Sequence, residues 1–217
     1  MIGDYAIIPV REFSSAKRRL ISRLTSGERK ALAFALLNRV VRAAELSDLE
    51  QIIVVASDPF EIGHSLRGVD KISVISELEH HGGVNGAFEA GIGYANGHGA
   101  MRLALFPSDL PFVSHAKIND ALSLLGNHDL ILNPSVKKDG TNLLVMNSKL
   151  TFELHYDDDS FNKHSLEAIS RKLDLLVLDW KEFSIDIDDA RDLEETMRIH
   201  KSKNFENLLE RITECEI

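Results

Sequence analysis

The chain is short of cysteine, of long apolar runs and of positive charge, and each shortage excludes something. Its one cysteine, Cys215, can form no disulfide within the chain and has no partner for a Cys-x-x-Cys metal site. A reducing, cytoplasmic setting is therefore expected. No apolar stretch approaches the roughly 20 residues of a membrane helix. Met1-Ile2-Gly3-Asp4-Tyr5 lacks the basic start and cleavage site of a signal peptide, so neither membrane nor export is expected. Lys and Arg number 25 against 34 Asp and Glu, a formal net charge of -9. Non-specific nucleic-acid binding runs on neutralisation of phosphates by cations, and the balance argues against it. Also missing are a convincing Ser-His-Asp or Cys-His set, the GxGxxG dinucleotide fingerprint, and the Gly-Lys-Ser/Thr of a P-loop. His80 and His81 lack the spacing of a zinc helix and read as surface residues.

What is present describes an ordinary globular protein. In 217 residues, 44% hydrophobic and 27% charged, there is enough apolar material for one core. No repeat or linker divides it, and we expect a single domain over 1–200 with a helical tail over 201–217. Short apolar runs read as strands at 5–10, 51–57, 72–75, 103–106, 130–132, 142–146 and 175–178. Helical patterns fall between most of them. Thr25-Ser26-Gly27-Glu28 has capping-box spacing and opens a helix to about Glu45, with Leu32, Leu36 and Val40 on its apolar face. Further helices are expected after Gly82, over 114–126, to about Leu173, and from Leu193 onward. The alternation predicts an α/β fold of three layers, a mostly parallel central sheet with helices on both faces.

The stretch Leu103-Ala104-Leu105-Phe106-Pro107-Ser108-Asp109-Leu110-Pro111 organises the candidate chemistry. It starts as a buried strand and stops in a turn carrying one carboxylate between two prolines. Asp109 is thereby expected at the carboxyl end of a strand, where open α/β sheets bind ligands. A carboxylate there suits a hard cation such as Mg²⁺; a turn or helix-cap aspartate is the other reading of the same residues. After the first strand, five basic residues and one acid lie from Arg11 to Arg23. Fixed positive charge and free backbone N–H groups in such a loop would receive a polyphosphate; a solvated basic turn is the other reading. Gly82-Gly83-Val84-Asn85-Gly86 before a helix would let backbone approach a ligand, with Asn85 able to reach a base or ribose. In Ile185-Asp186-Ile187-Asp188 an extended backbone puts both carboxylates on one face, where they repel unless a cation joins them. The turn Lys138-Asp139-Gly140-Thr141-Asn142 offers donors to a carboxylate or phosphate, or is a plain hairpin turn. Asp157-Asp158-Asp159 would favour a helix N-terminus through the dipole.

In order along the chain stand Ile7-Ile8-Pro9-Val10, Ala16-Lys17-x-Arg19-Leu20, Ser57-Asp58-Pro59 and Gly83-Val84-Asn85-Gly86-Ala87. There follow Pro107-Ser108-Asp109-Leu110-Pro111, Asp139-Gly140-Thr141-Asn142, Ser160-Phe161-x-x-His164 and Asp186-Ile187-Asp188. The ordered set resembles the 2-phospho-L-lactate guanylyltransferases of deazaflavin coenzyme biosynthesis, over residues 5 to about 195. The resemblance implies a nucleotide-diphospho-sugar transferase, GT-A-like fold. It implies Mg²⁺ held by Asp109 and Asp188, with Asp186 the alternative direct ligand. It puts Lys17 and Arg19 on the phosphates, and Pro9, Val10, Gly83, Val84, Asn85 and Pro107 around the guanine nucleotide. It puts Thr141 and Ser160 on the carboxylate end of the acceptor. The implied partners are GTP and a phosphorylated three-carbon acid, and a homodimer is compatible with it. Three positions depart from the pattern: Arg11 for lysine, Asp157-Asp158-Asp159 for glycines, and Asp189-Ala190 for Thr-Pro. An acceptor such as a sugar phosphate or molybdopterin, and a non-catalytic nucleotide-binding role, are the other readings.

Overall fold

The computed structural model describes residues 3–13, 16–77 and 83–214, the last without its side chain. Met1, Ile2, His80, His81, Gly82 and Cys215, named above, lie outside the described residues.

Seven strands form one sheet: β1 (Gly3–Val10), β2 (Gln51–Ala56), β3 (Ile72–Ser76), β4 (Ala100–Leu105), β5 (Leu130–Pro134), β6 (Thr141–Asn147) and β7 (Leu175–Val177). Their spatial order is β3-β2-β1-β4-β6-β5-β7. β1 lies inside the sheet, with Ile7 registered on Ile53 of β2 and on Leu105 of β4, both pairings parallel. β6 alone runs against the rest, pairing antiparallel with β4 and β5. The carboxyl ends of β1, β4, β5 and β7 and the amino end of β6 consequently meet at one edge. The expected three-layer α/β fold with a mostly parallel sheet is what forms.

The pleat sorts the strand residues into two cores. Ala6, Ile8, Val10, Ile52, Val54, Ala104, Ile131 and Val145 share one face with Leu37, Val40 and Val41 of α1 (Ser26–Leu46) and with Ile118 and Leu122 of α4 (His115–Leu124). Ile7, Ile53, Val55, Leu103, Leu105, Leu132 and Leu144 share the other with Phe88 of α3 (Gly83–Gly97) and Ala168 of α5 (Ser160–Ser170). Each fully buried Ile or Leu contributes about 1.5–3 kcal/mol of transfer free energy. Gly91 lets α3 lie close on the sheet, since a Cβ there would stand 3.2 Å from Val55 Cγ2 and overlap Ile7 Cγ2.

The capping box of α1 forms as its spacing predicts, with Thr25 Oγ1 accepting from Glu28 N–H and Glu28 accepting from Thr25 N–H. After β2, where the sequence pattern suggests no more than a turn at Ser57-Asp58-Pro59, Asp58 accepts from Phe60 N–H and Glu61 N–H and, with proline in the first turn, opens the short α2 (Pro59–Ser65). The final helical segment is two helices, α7 (Ala190–Ile199) and α8 (Phe205–Glu214), and short α6 (Lys181–Ser184) precedes them.

A third cluster positions the site. Leu20, Leu24, Leu32, Leu36, Ile187, Leu193, Leu208 and Ile212 pack together. They bind the basic loop to α1, to the Asp186–Asp188 segment and to α7 and α8. No helix among the described residues is long and apolar enough to cross a membrane.

Candidate active site

Two buried side chains aim the charged ones. Leu20, fully buried, closes the 3-10 turn Arg18–Leu20 that follows Lys17. Ile187, also fully buried, points into the third cluster, and its neighbours Asp186 and Asp188 turn the opposite way. The backbone of this acidic segment is fixed from behind, since Asp188 N–H and Asp189 N–H each donate to Asp192 Oδ2 at 3.0 Å. Asp189, at the Thr-Pro departure, caps α7 by accepting from Arg191 N–H and Asp192 N–H. Lys17 itself adopts φ 54, left-handed backbone that a lysine enters at some cost.

The result is a compact charge cluster from three distant parts of the chain. Lys17 Nζ donates to Asp109 Oδ2 at 2.6 Å and to Asp188 Oδ1 at 3.5 Å. Arg19 approaches Asp188 Oδ2 at 3.8 Å while remaining 76% exposed, free to swing towards a ligand. Asp109, Asp186 and Asp188 each offer an oxygen within 4.8 Å of the others. Burial lowers the Lys17 ammonium's pKa, but the charges of Asp109 and Asp188 more than reverse this, so it stays protonated. Burial, and then the charges of Asp109 and Asp188, push the Asp186 carboxyl up to about 7. Asp109 Oδ1 is buried and has no hydrogen-bond partner. Three converging carboxylates with one oxygen unsatisfied fit a hard divalent cation, which takes oxygen ligands and removes their repulsion.

Next to this cluster is a hydroxyl pair. Asn142 Nδ2 donates to Asp186 Oδ1 at 3.4 Å and to the Ser184 carbonyl at 3.2 Å, tying the start of β6 to the acidic segment. Thr141 N–H donates to Ser160 Oγ at 2.8 Å, joining the first residue of β6 to the first residue of α5. Behind Thr141 lies His164, with Nδ1 2.9 Å from Thr141 Oγ1 and Nε2 accepting from His155 N–H at 2.8 Å. Burial pushes the His164 pKa down to about 4, so the ring is neutral. Asp159, where glycines are common in the resembled family, holds φ 61 at the start of α5. Aspartate tolerates that left-handed conformation better than most residues.

The residues expected around a base are more dispersed in role. Asn85 Oδ1 accepts from Tyr156 N–H at 2.6 Å, anchoring the segment before α5 to α3. Gly83 is exposed with φ 83, and Val84 packs on the second core face. Pro9 and Pro107 are half-buried beside the strand ends, whereas the Val10 side chain belongs to the first core, leaving only its backbone for a ligand. His164 and the Asn142–Asp186 tie were not assigned to the site from sequence. Their partners are remote in the chain, and although His164 stands in the Ser160-Phe161-x-x-His164 motif, the motif alone does not say what its ring touches. A cavity of about 800 Å³, lined in part by Arg39, Arg42, Arg67 and Ser114, includes none of the clustered residues.

A mostly parallel sheet with acids and a lysine gathered at its carboxyl edge is an arrangement suited to binding phosphorylated ligands. The fold is similar to that of a Desulfovibrio desulfuricans protein assigned to the nucleotide-diphospho-sugar transferases, with a TM-score of 0.80, 16% identity and coverage of 99% of this chain and 96% of that one. Residues 4–214 match the family described as guanylyl transferase CofC like, and the chain belongs to that family. It is 34% identical over 199 residues to the 2-phospho-L-lactate guanylyltransferase of Methanocaldococcus jannaschii, covering 92% of this chain and 84% of the relative. It is 31% identical over 191 residues to the phosphoenolpyruvate guanylyltransferase of Sphaerobacter thermophilus, covering 88% and 90%.

Proposed function

We propose that the protein transfers GMP from GTP to 2-phospho-L-lactate or phosphoenolpyruvate, releasing pyrophosphate, as a cytoplasmic step of deazaflavin coenzyme biosynthesis. 3-Phosphoglycerate is the third acid of the same class. The observation that carries the reading is Lys17 Nζ held between Asp109 and Asp188, at 2.6 and 3.5 Å, at the edge where open α/β sheets bind ligands. The two relatives named above, close to each other in identity to this chain, support a phosphorylated three-carbon carboxylic acid as the acceptor class.

In this reading Asp109 and Asp188, with Asp186 as the alternative, hold Mg²⁺, which when bound would draw charge from the phosphates of GTP. Lys17 places a buried positive charge beside the α-phosphate, and exposed Arg19 reaches the outer phosphates. The Pro9–Val10 backbone, Pro107 and the Gly83-Val84-Asn85 turn flank the guanine nucleotide. Thr141 and Ser160 hold the carboxylate of the acid. An acceptor phosphate oxygen attacks the α-phosphorus in line, the bond to the β,γ-diphosphate breaks, and pyrophosphate departs. A phosphate monoester's second pKa is about 6, so the nucleophile is already charged at pH 7 and requires no general base. That accords with a site built of cations and carboxylates. Residues 1–200 serve as the catalytic domain. The 201–217 tail stabilises it through Leu208 and Ile212, which pack in the third cluster. All the residues invoked come from one chain, so a homodimer is compatible with this reading but not needed for it.

The test is pyrophosphate release over the four nucleotides and a panel of acceptors. GTP with phospholactate, phosphoenolpyruvate or phosphoglycerate should give release, and a sugar phosphate should not. Release with sugar phosphates alone, or nucleotide binding without release from any acceptor, would reject the proposal.

A further inference from the structure

We propose that His164 is a positioning residue which forces the Thr141 hydroxyl hydrogen towards the acceptor, so that the subsite accepts a carboxylate and rejects a carboxamide. The inference rests on guanylyl transfer to a phospho-acid as the reaction.

The argument is one of donor accounting. A backbone N–H can only donate, and His155 N–H donates to His164 Nε2 at 2.8 Å. Nε2 therefore carries a lone pair, and in a neutral ring the hydrogen is on Nδ1. Nδ1–H then donates to Thr141 Oγ1 across 2.9 Å. With that lone pair taken, and the ring offering no acceptor on this side, the Thr141 hydroxyl must send its own hydrogen elsewhere. Ser160 is constrained in the same sense, because its Oγ accepts from Thr141 N–H at 2.8 Å. Among the described residues neither hydroxyl hydrogen has a protein acceptor. Two adjacent O–H donors, each with an accepting position already occupied, match a group that only accepts. A carboxylate has about four lone-pair sites and can take both hydroxyl hydrogens, whereas the NH₂ of a carboxamide can meet only the one remaining lone pair of a hydroxyl, whose hydrogen is then left without an acceptor.

His164 is suited to enforce this because it cannot drift. It is fully buried, with its ring 4.9 Å from that of Tyr156 and 5.7 Å from that of Phe152. Tyr156 is in turn held by Asn85. The orientation of the Thr141 hydroxyl on β6 is thus set by a ring on α5 and by the backbone donor, from the segment before α5, that fixes the ring's tautomer.

The experiment has an arm that reads the ring and an arm that reads the acceptor. Long-range ¹H–¹⁵N NMR of the full-length protein should show the buried histidine protonated at Nδ1. In steady-state assays with GTP, the wild type should prefer phosphoenolpyruvate over its carboxamide by about tenfold or more in kcat/KM. His164→Phe should collapse that preference by about tenfold, raising KM for the acid far more than it lowers kcat and leaving KM for GTP nearly unchanged. His164→Asn, whose amide NH₂ can occupy the Nδ1 position, should restore most of the preference. Melting of each variant shows that it is folded. A ring protonated at Nε2, an unchanged acid-to-amide ratio in His164→Phe, or no rescue by Asn would overturn the inference. A wild type that uses neither acceptor would instead reject guanylyl transfer, and the carboxylate selection with it, whatever tautomer the NMR shows.

Discussion

Replacing Lys17 by alanine should separate what the charge cluster does for stability from what it does for catalysis. The ammonium is the buried cation among three carboxylates, 2.6 Å from Asp109 Oδ2 and 3.5 Å from Asp188 Oδ1. Two unit charges at about 4 Å interact by about 4 kcal/mol at an effective dielectric near 20, and breaking a buried pair typically costs about 3–5 kcal/mol. The Asp188 side chain is 47% exposed and that of Asp109 22%, so solvent screens part of the loss and the lower end applies. Urea unfolding in EDTA should show Lys17→Ala less stable by about 3 kcal/mol. The deficit should deepen as pH rises through 7, because Lys17 is one of the groups that pull the Asp186 carboxyl down. Excess Mg²⁺ should restore much of the stability by neutralising the same acids, since a ligand that binds only the folded state stabilises it by mass action. It should not restore turnover, which we expect to fall at least a hundredfold, the consequence of losing about 3 kcal/mol of transition-state stabilisation. Pyrophosphate release at saturating GTP and acceptor measures this. Turnover within tenfold of wild type, or a stability loss indifferent to Mg²⁺, would refute the reasoning.

Three further outcomes are expected. Asp109→Asn should cut pyrophosphate release at least a hundredfold while circular dichroism and melting stay close to wild type, since the substitution keeps the shape and removes one ligand charge. His164 binds a proton less readily when folded, with a pKa of about 4 against the ordinary 6.5. The unfolded chain therefore holds more protons between these values, and this contribution is complete above pH 6.5 and lost as pH falls through 4. It amounts to about 3 kcal/mol. Asp186 titrates with the opposite sign, so the measurable quantity is the difference in pH dependence between wild type and His164→Phe in chemical unfolding. Gly91→Ala should destabilise by about 1–2 kcal/mol, seen as a melting temperature lower by several degrees. The overlap with Ile7 and Val55 outweighs the gain in helix propensity.

Sequence reveals most where the determinant is local. The Thr25–Glu28 capping box lies within four consecutive residues and forms as its spacing predicts. The strands announce themselves as apolar runs, but a run such as Leu143-Leu144-Val145-Met146 has no intrinsic direction, so the reversal of β6 is set by its pairing with β4 and β5. Short α2 depends on one aspartate cap and a proline, too little periodicity to distinguish from a turn. The acids and Lys17 could be proposed individually, yet their meeting spans 171 residues and depends on buried Leu20 and Ile187, which read along the chain as ordinary core. The Asp186–Asn142 and Thr141–His164 ties are of the same kind, side chains whose partners only folding supplies.

The account turns on which phosphorus is attacked and by what. Phosphorus-31 NMR of GTP, Mg²⁺, 2-phospho-L-lactate or phosphoenolpyruvate, and the protein should show free pyrophosphate growing in step with a new pair of coupled anhydride signals. One of the pair would come from GMP and the other from the acid. GDP with inorganic phosphate, or an acceptor phosphate signal that never changes, would contradict it.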